Sequence, residues 1–312
     1  MPGRRVIRIF GRLFAGRFTL SKHLRRQNTL ARPCEISGFG YWSGADVKLE
    51  LHPAPENTGV VFVREDLPAP NNRIAAHVKY RVEVPRRTTL VDGAVRVEMI
   101  EHILAALSGL QVDNCEVRVT GAEMPGCDGS SQPFVEAILA AGIERQTAPR
   151  QRVIVTDVTR VGNDECWVEM RPVKGDRLAV IYKLDYGPNT PIGKQTLQMD
   201  VNPQTFQQDL ATARTFLLQE EADWLRERGM GTRVTPQDVL VFGPEGLVDN
   251  TLRFEDECVR HKTLDLIGDL ALAGCDIVGQ VIAYKSGHRL NAELVKVLLT
   301  EGRLEGSLRR TG

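Results

Sequence analysis

Glu98-Met-Ile-Glu-His-Ile-Leu-Ala-Ala-Leu-Ser-Gly-Leu110 is where the chain changes its hydrophobic period. Before it, Val47-Lys-Leu-Glu-Leu51 and Val60-Val-Phe-Val63 read as strands, followed by a polar loop at Leu67–Arg73. Within 98–110 the apolar positions Met99, Ile103, Ala106, Leu107 and Leu110 recur at helical spacing, so an amphipathic helix is expected, ending at Gly109 or just beyond. Cys115–Val119 then reads as a strand, Pro125–Pro133 as a Gly-rich loop and Phe134–Ala141 as a second helix.

Beyond a polar stretch at Arg145–Arg152 a similar series begins, and the domain boundary is placed there. Strands are expected at Val153–Val161, Trp167–Met170, Leu178–Leu184, Val239–Phe242 and Ile277–Ala283. Helices are expected at Thr205–Leu210, Leu217–Arg228, Phe254–Ala273 and Ala292–Leu299. Strands and helices in both halves imply an α+β architecture. The expected organisation is a basic extension over 1–27, a first domain over 28–147 and a second over 148–308.

The composition, 42% apolar and 26% charged over 312 residues, is that of an ordinary globular protein. The net charge of zero hides an asymmetry. Residues 1–27 hold eight basic side chains and no acidic one, so the remainder carries an excess of eight acidic groups. A body of that sign has no general attraction for nucleic-acid phosphates, and no nucleic-acid partner is expected. Arg alternating with Val6, Ile7, Phe10, Leu13 and Phe14 fits weak contact of residues 1–27 with an anionic membrane surface. A plain tail, a misplaced start codon and an organelle transit peptide are the alternatives. No uninterrupted apolar run is long enough to span a bilayer. Six scattered cysteines without a CxxC pair read as small buried apolar residues in a reducing, cytoplasmic setting.

Six histidines narrow the search for chemistry. His52 and His77, both placed on strands, read as surface or structural residues, and His23 lies in the basic extension without an acidic neighbour. In Arg260-His-Lys-Thr-Leu-Asp-Leu-Ile-Gly-Asp269, His261 and Asp265 stand four apart on one helix face, a chelate spacing for a metal with N and O donors. Helix surfaces also use such pairs for small electrostatic gains, so the pair needs a partner. Asp269 extends the stripe by a turn, where it could orient an imidazole. Glu101-His102 pairs a metal-type ligand with a carboxylate able to take a proton from water. His288, in a loop after an apolar strand, is a candidate general acid.

The ordered series Pro53-Ala-Pro-x-Asn-Thr-Gly59, Glu101-His102, Asp128-Gly-Ser130, Ala213-Arg-Thr-Phe216, Leu252-Arg-Phe-Glu-Asp256, His261-Lys-x-x-Asp265-x-x-Gly-Asp269 and Ser286-Gly-His288-x-Leu-Asn291 strongly resembles the UDP-3-O-acyl-N-acetylglucosamine deacetylases, zinc amidases of lipid A biosynthesis. The resemblance runs from about Asn28 to Leu308. It implies one zinc per chain held by His102, His261 and Asp265. Glu101 would be the general base, His288 with Asp269 the general acid, and Thr215 the donor to the oxyanion. Phe216 would line the sugar site and Lys262 contact substrate. The implied fold is two similar α+β domains whose helical layers pack between two sheets, with the active site at the domain junction. The implied substrate is UDP-3-O-acyl-N-acetylglucosamine, and a monomer is expected.

Two places depart from the family pattern. Gly38-Phe-Gly-Tyr-Trp-Ser-Gly44 puts Trp42 where a His is usual, and Gly229–Asp238 lacks the usual Gly-Gly-Ser. The intact Glu101, Thr215 and His288 speak against a metal-binding but inactive UDP-sugar sensor. No GxxxxGK[ST] or GxGxxG occurs to support a P-loop or Rossmann enzyme.

Overall fold

A computed structural model describes residues 24–306. The expectation of membrane contact through the basic extension falls almost wholly outside them. The body itself begins earlier than Asn28. Arg26–Leu30 is a strand, and Arg25 forks between Asp113 and Asp276, with N–O distances of 2.7 and 2.6 Å.

Six helices lie among the described residues: α1 (Glu101–Gly109), α2 (Gln132–Ala141), the single turn α3 (Pro203–Thr205), α4 (Gln219–Glu227), α5 (Glu257–Leu270) and α6 (His288–Glu301). Two larger sheets flank them. One orders five strands as Cys34–Phe39, Asp46–Pro53, Cys115–Val119, Val60–Arg64 and Arg73–Ala75. The other has seven strands centred on Asp276–Tyr284, which pairs antiparallel with Trp167–Arg171 and parallel with Leu178–Asp185 and Arg152–Ile154. Helix α2 packs on the five-stranded sheet, α5 and α6 pack on the seven-stranded one, and α1 lies against α5. The result is an α+β arrangement with helices between sheets.

Alternation along the strands supplies the core. In Asp46–Pro53 the residues Val47, Leu49 and Leu51 are buried while their neighbours are not, because successive strand side chains point to opposite faces. Helix α1 is enclosed nearly all round, only Ser108 being exposed, with both α5 and α2 packed against it. Its crossing with α5 is made at Gly268, where any Cβ would collide with the backbone of Glu101. That close approach brings the start of α1 beside the stripe His261, Asp265, Asp269.

Several local expectations need correction. Val153–Val161 is not one strand but two, Arg152–Ile154 and Thr159–Gly162, split where the chain crosses between partners. Phe216–Leu218 is a strand leading into α4, and Glu98 closes a strand rather than opening α1. The polar stretch at the expected domain boundary overlaps the strand Ile143–Pro149, which pairs with Arg26–Leu30. His77 caps a 3-10 turn by accepting from the amide of Lys79, and is not on a strand. Only Cys115, Cys258 and Cys275 are buried; Cys34, Cys127 and Cys166 are partly exposed, and all six are free.

Candidate active site

The strand Val95–Glu98 passes into α1 through Met99, whose φ of 57° is a conformation that non-glycine residues seldom adopt and that gathers at functional sites. This turn aims Glu101 and His102 at α5. His102 Nε2 lies 3.7 Å and His261 Nε2 3.4 Å from Asp265 Oδ1, and the donor atoms of all three residues fall within 4.8 Å of one another. The two imidazoles meet edge to face, with ring centroids 5.1 Å apart.

His261 Nδ1–H donates to the carbonyl oxygen of Ala213 at 3.1 Å, which leaves the Nε2 lone pair facing Asp265. Asp265 Oδ2 accepts from Lys262 Nζ at 2.7 Å, whereas its buried Oδ1 has no hydrogen-bond partner. Burial, with the neighbouring His261 adding to it, pushes His102 down to about 3, and burial also lowers His261, so both rings are neutral at pH 7. Burial opposes the charge on Asp265, yet its neighbours, among them the Lys262 ammonium bonded to its Oδ2, hold the carboxyl well below its usual range. Two neutral imidazole nitrogens converging on an orphaned carboxylate oxygen are the donor set of a tetrahedral N/O site with one position open. The residues fit a divalent cation such as zinc, since a buried acceptor without a partner is costly unless something else satisfies it.

Glu101 borders this cluster. Its Oε2 accepts the Thr88 amide N–H at 2.9 Å, and its Oε1 stands 3.9 Å from His288 Nε2. Burial raises its carboxyl to about 7, with the charge of His288 acting in the opposite direction. That displacement corresponds to about 3 kcal/mol against the buried carboxylate. Ile103, Leu104 and Leu107 on the same helix are fully buried and contribute about 1.5–3 kcal/mol each, enough to offset it.

His288 is the first residue of α6 rather than a loop residue, Gly287 serving as the N-cap. Its Nδ1–H donates to Asp269 Oδ2 at 2.9 Å. Burial and the helix N-terminus both disfavour an imidazolium here. The charges of Asp269 and Glu101 prevail over burial and raise His288 to about 9. Asp269, with no exposure, also accepts from Asn291 Nδ2 at 2.8 Å and from Thr88 Oγ1.

Thr215 and Phe216 line the same cavity as Glu101 and His102 of α1. The chain there is pinned by its buried neighbour Arg214, whose Nε meets Glu257 Oε1 at 2.8 Å, while the Thr215 amide donates to the Gly129 carbonyl at 2.8 Å. Glu101, His102, Thr215, Phe216, His261, Lys262, Asp265 and His288 open onto one cavity of about 560 Å³, with Asp269 buried behind them. The cavity lining includes the basic Lys262, Lys285 and Arg289 and the apolar Ala222, Leu225, Met230, Val234 and Val241. Met230 and Val234 belong to the variant Gly229–Asp238 segment. Trp42 lines the cavity as well, its ring covered by the Arg87 guanidinium at 4.5 Å.

The model of the UDP-3-O-acyl N-acetylglycosamine deacetylase family matches residues 27–300. The chain belongs to this family. Among curated relatives, the UDP-3-O-acyl-N-acetylglucosamine deacetylases of Brucella ovis, Brucella canis and Brucella suis are each 38% identical over 278 residues, covering 88% of this chain and 96% of theirs. The deacetylase family is one of hydrolases and metalloenzymes, and the structure brings together every site residue named from the sequence. Thr88, Asn291, Arg214 and Glu257 join them as residues that sequence reasoning did not mark as functional. Three of these sit inside recognisable motifs or beside one, but Thr88 carries no signal of its own.

Proposed function

We propose that this deacetylase removes the N-acetyl group of UDP-3-O-(3-hydroxyacyl)-N-acetylglucosamine in lipid A biosynthesis, using one zinc ion held by His102, His261 and Asp265. The observation that carries the reading is the pair of imidazole Nε2 atoms facing the orphaned Asp265 Oδ1 beside a buried carboxylate. When bound there, zinc supplies Lewis acidity, lowering the pKa of water and polarising the amide carbonyl. Glu101 Oε1, held above its usual carboxylate range, takes the proton from the attacking water. Thr215 donates to the developing oxyanion. His288, its Nε2 at 3.9 Å from Glu101 Oε1, protonates the departing amine, while Asp269 keeps Nδ1 protonated and the ring oriented. Phe216 lines the sugar site, Lys262 contacts the substrate, and the apolar residues of the cavity lining take the acyl chain.

We read the chain as two domains meeting near residue 150, the first beginning at the strand Arg26–Leu30 that pairs with Ile143–Pro149, with this site at their junction, and the enzyme as a cytoplasmic monomer that binds no nucleic acid. No helix among the described residues is long and apolar enough to cross a membrane. Incubation of the purified chain with UDP-3-O-acyl-N-acetylglucosamine carrying C10 to C16 acyl groups should release acetate, and excess chelator should stop it. Undiminished release from metal-free protein contradicts the reading.

The acid has a pH signature. His288 acts protonated, so the rate falls as pH rises through about 9, where the imidazolium loses its proton. In Asp269→Asn the largest charge holding that proton is gone, and the descending limb should move down by about one pH unit or more. A limb that stays in place in the variant excludes His288 as the acid.

A further inference from the structure

Asp269 is held at both oxygens. Oδ2 accepts from His288 Nδ1 and Asn291 Nδ2, at 2.9 and 2.8 Å. The Asn291 amide is itself oriented, because Ser286 Oγ–H donates to its Oδ1. Oδ1 receives one donor, the hydroxyl of Thr88. The same residue's backbone N–H donates to Glu101 Oε2 at 2.9 Å, which leaves Oε1 as the oxygen turned towards His288 Nε2. Thr88 has 1% exposure and precedes the strand Thr89–Asp92, whereas Asp269 lies on α5, so the hydroxyl bridges from the first half of the chain to the second.

We propose that Thr88 is a positioning residue for the deacetylation, setting through its amide which oxygen of Glu101 faces the reacting amide and through its hydroxyl the orientation of the Asp269–His288 pair. This rests on Glu101 being the base and His288 the acid. Fixing both carboxylates from one residue keeps the proton acceptor and the proton donor in register, where a small misplacement is expensive in rate. A hydrogen bond to a buried carboxylate is among the stronger kinds. Its loss here leaves Oδ1 bare and the carboxylate held through Oδ2 alone, so its plane is less firmly fixed and the effect falls on the chemical step and not on substrate affinity.

Steady-state kinetics on the full-length, zinc-loaded protein with UDP-3-O-acyl-N-acetylglucosamine test this. Thr88→Val keeps the shape and removes only the hydroxyl. It should lower kcat by about 10-fold or more with KM within about two-fold and zinc content unchanged. Thr88→Ser, which keeps the hydroxyl, should restore kcat to within about three-fold of wild type. In an Asp269→Asn background Thr88→Val should add less than about a two-fold loss, since the two act through one contact. Wild-type kcat in Thr88→Val, a Ser variant as slow as Val, or the full loss recurring in the Asp269→Asn background overturns the inference. If Thr88→Val does not fold, the Ser variant alone and in the Asp269→Asn background decides. A wild type without deacetylase turnover overturns the proposed function and this inference together. An active wild type with an unaffected Thr88→Val overturns only the inference.

Discussion

Glu101→Gln should lower kcat by about 10³-fold, within the range that a positioned general base contributes. The substitution is close to isosteric, and the amide oxygen can still accept the Thr88 N–H, so α1 keeps its anchor. What disappears is the basic oxygen beside His288. Because a buried carboxylate with a raised pKa is replaced by a neutral amide, thermal stability should hold or rise slightly. Zinc content should be unchanged, as Glu101 is not among the three converging donors. Retention of more than about a tenth of wild-type kcat would assign the proton transfer elsewhere.

The second large effect is expected at His261. In His261→Ala one of two imidazole nitrogens facing Asp265 is lost, together with the Nδ1–H that donates to Ala213. Residues that merely orient a ligand cost about 10- to 100-fold in metal affinity when removed, so a ligand itself should cost at least about 100-fold. The variant should emerge from dialysis without zinc and without turnover, while its circular dichroism spectrum shows that the sheets and helices remain. The comparison with Glu101→Gln separates the roles: one variant keeps the metal and loses the chemistry, the other loses both. A His261→Ala protein that retains stoichiometric zinc would remove His261 from the site.

Part of this site is legible in the sequence alone. His261, Asp265 and Asp269 repeat every four residues, and helical geometry by itself stacks them. Glu101 and His102 fall where the hydrophobic period switches from strand to helix. The meeting of the two groups is not local, because it depends on α5 approaching α1 at Gly268, a contact between residues far apart in the chain. Thr88 is invisible for the same reason: a threonine before a strand has no periodic signature, and its partners lie on two helices. His288 reads as a loop residue because the apolar periodicity of α6 becomes apparent only from Leu290, whereas Gly287 starts the helix earlier. The strand Lys194–Val201 is largely polar, but Leu197, Met199 and Val201 alternate along it, a period-two strand signal that the expected strands omit, and pairing with Leu178–Asp185 holds it in the sheet. Ile143–Pro149 is equally polar and is likewise defined by its partner strand.

Every role assigned above depends on His102, His261 and Asp265 holding one zinc ion beside Glu101. Anomalous diffraction from crystals of the protein, recorded on both sides of the zinc absorption edge, reads that out without reference to activity. One strong peak per chain is expected at bonding distance, about 2.0–2.2 Å, from His102 Nε2, His261 Nε2 and an oxygen of Asp265. A peak coordinated by other residues, or zinc-loaded active crystals without a peak between these three, would contradict the assignment.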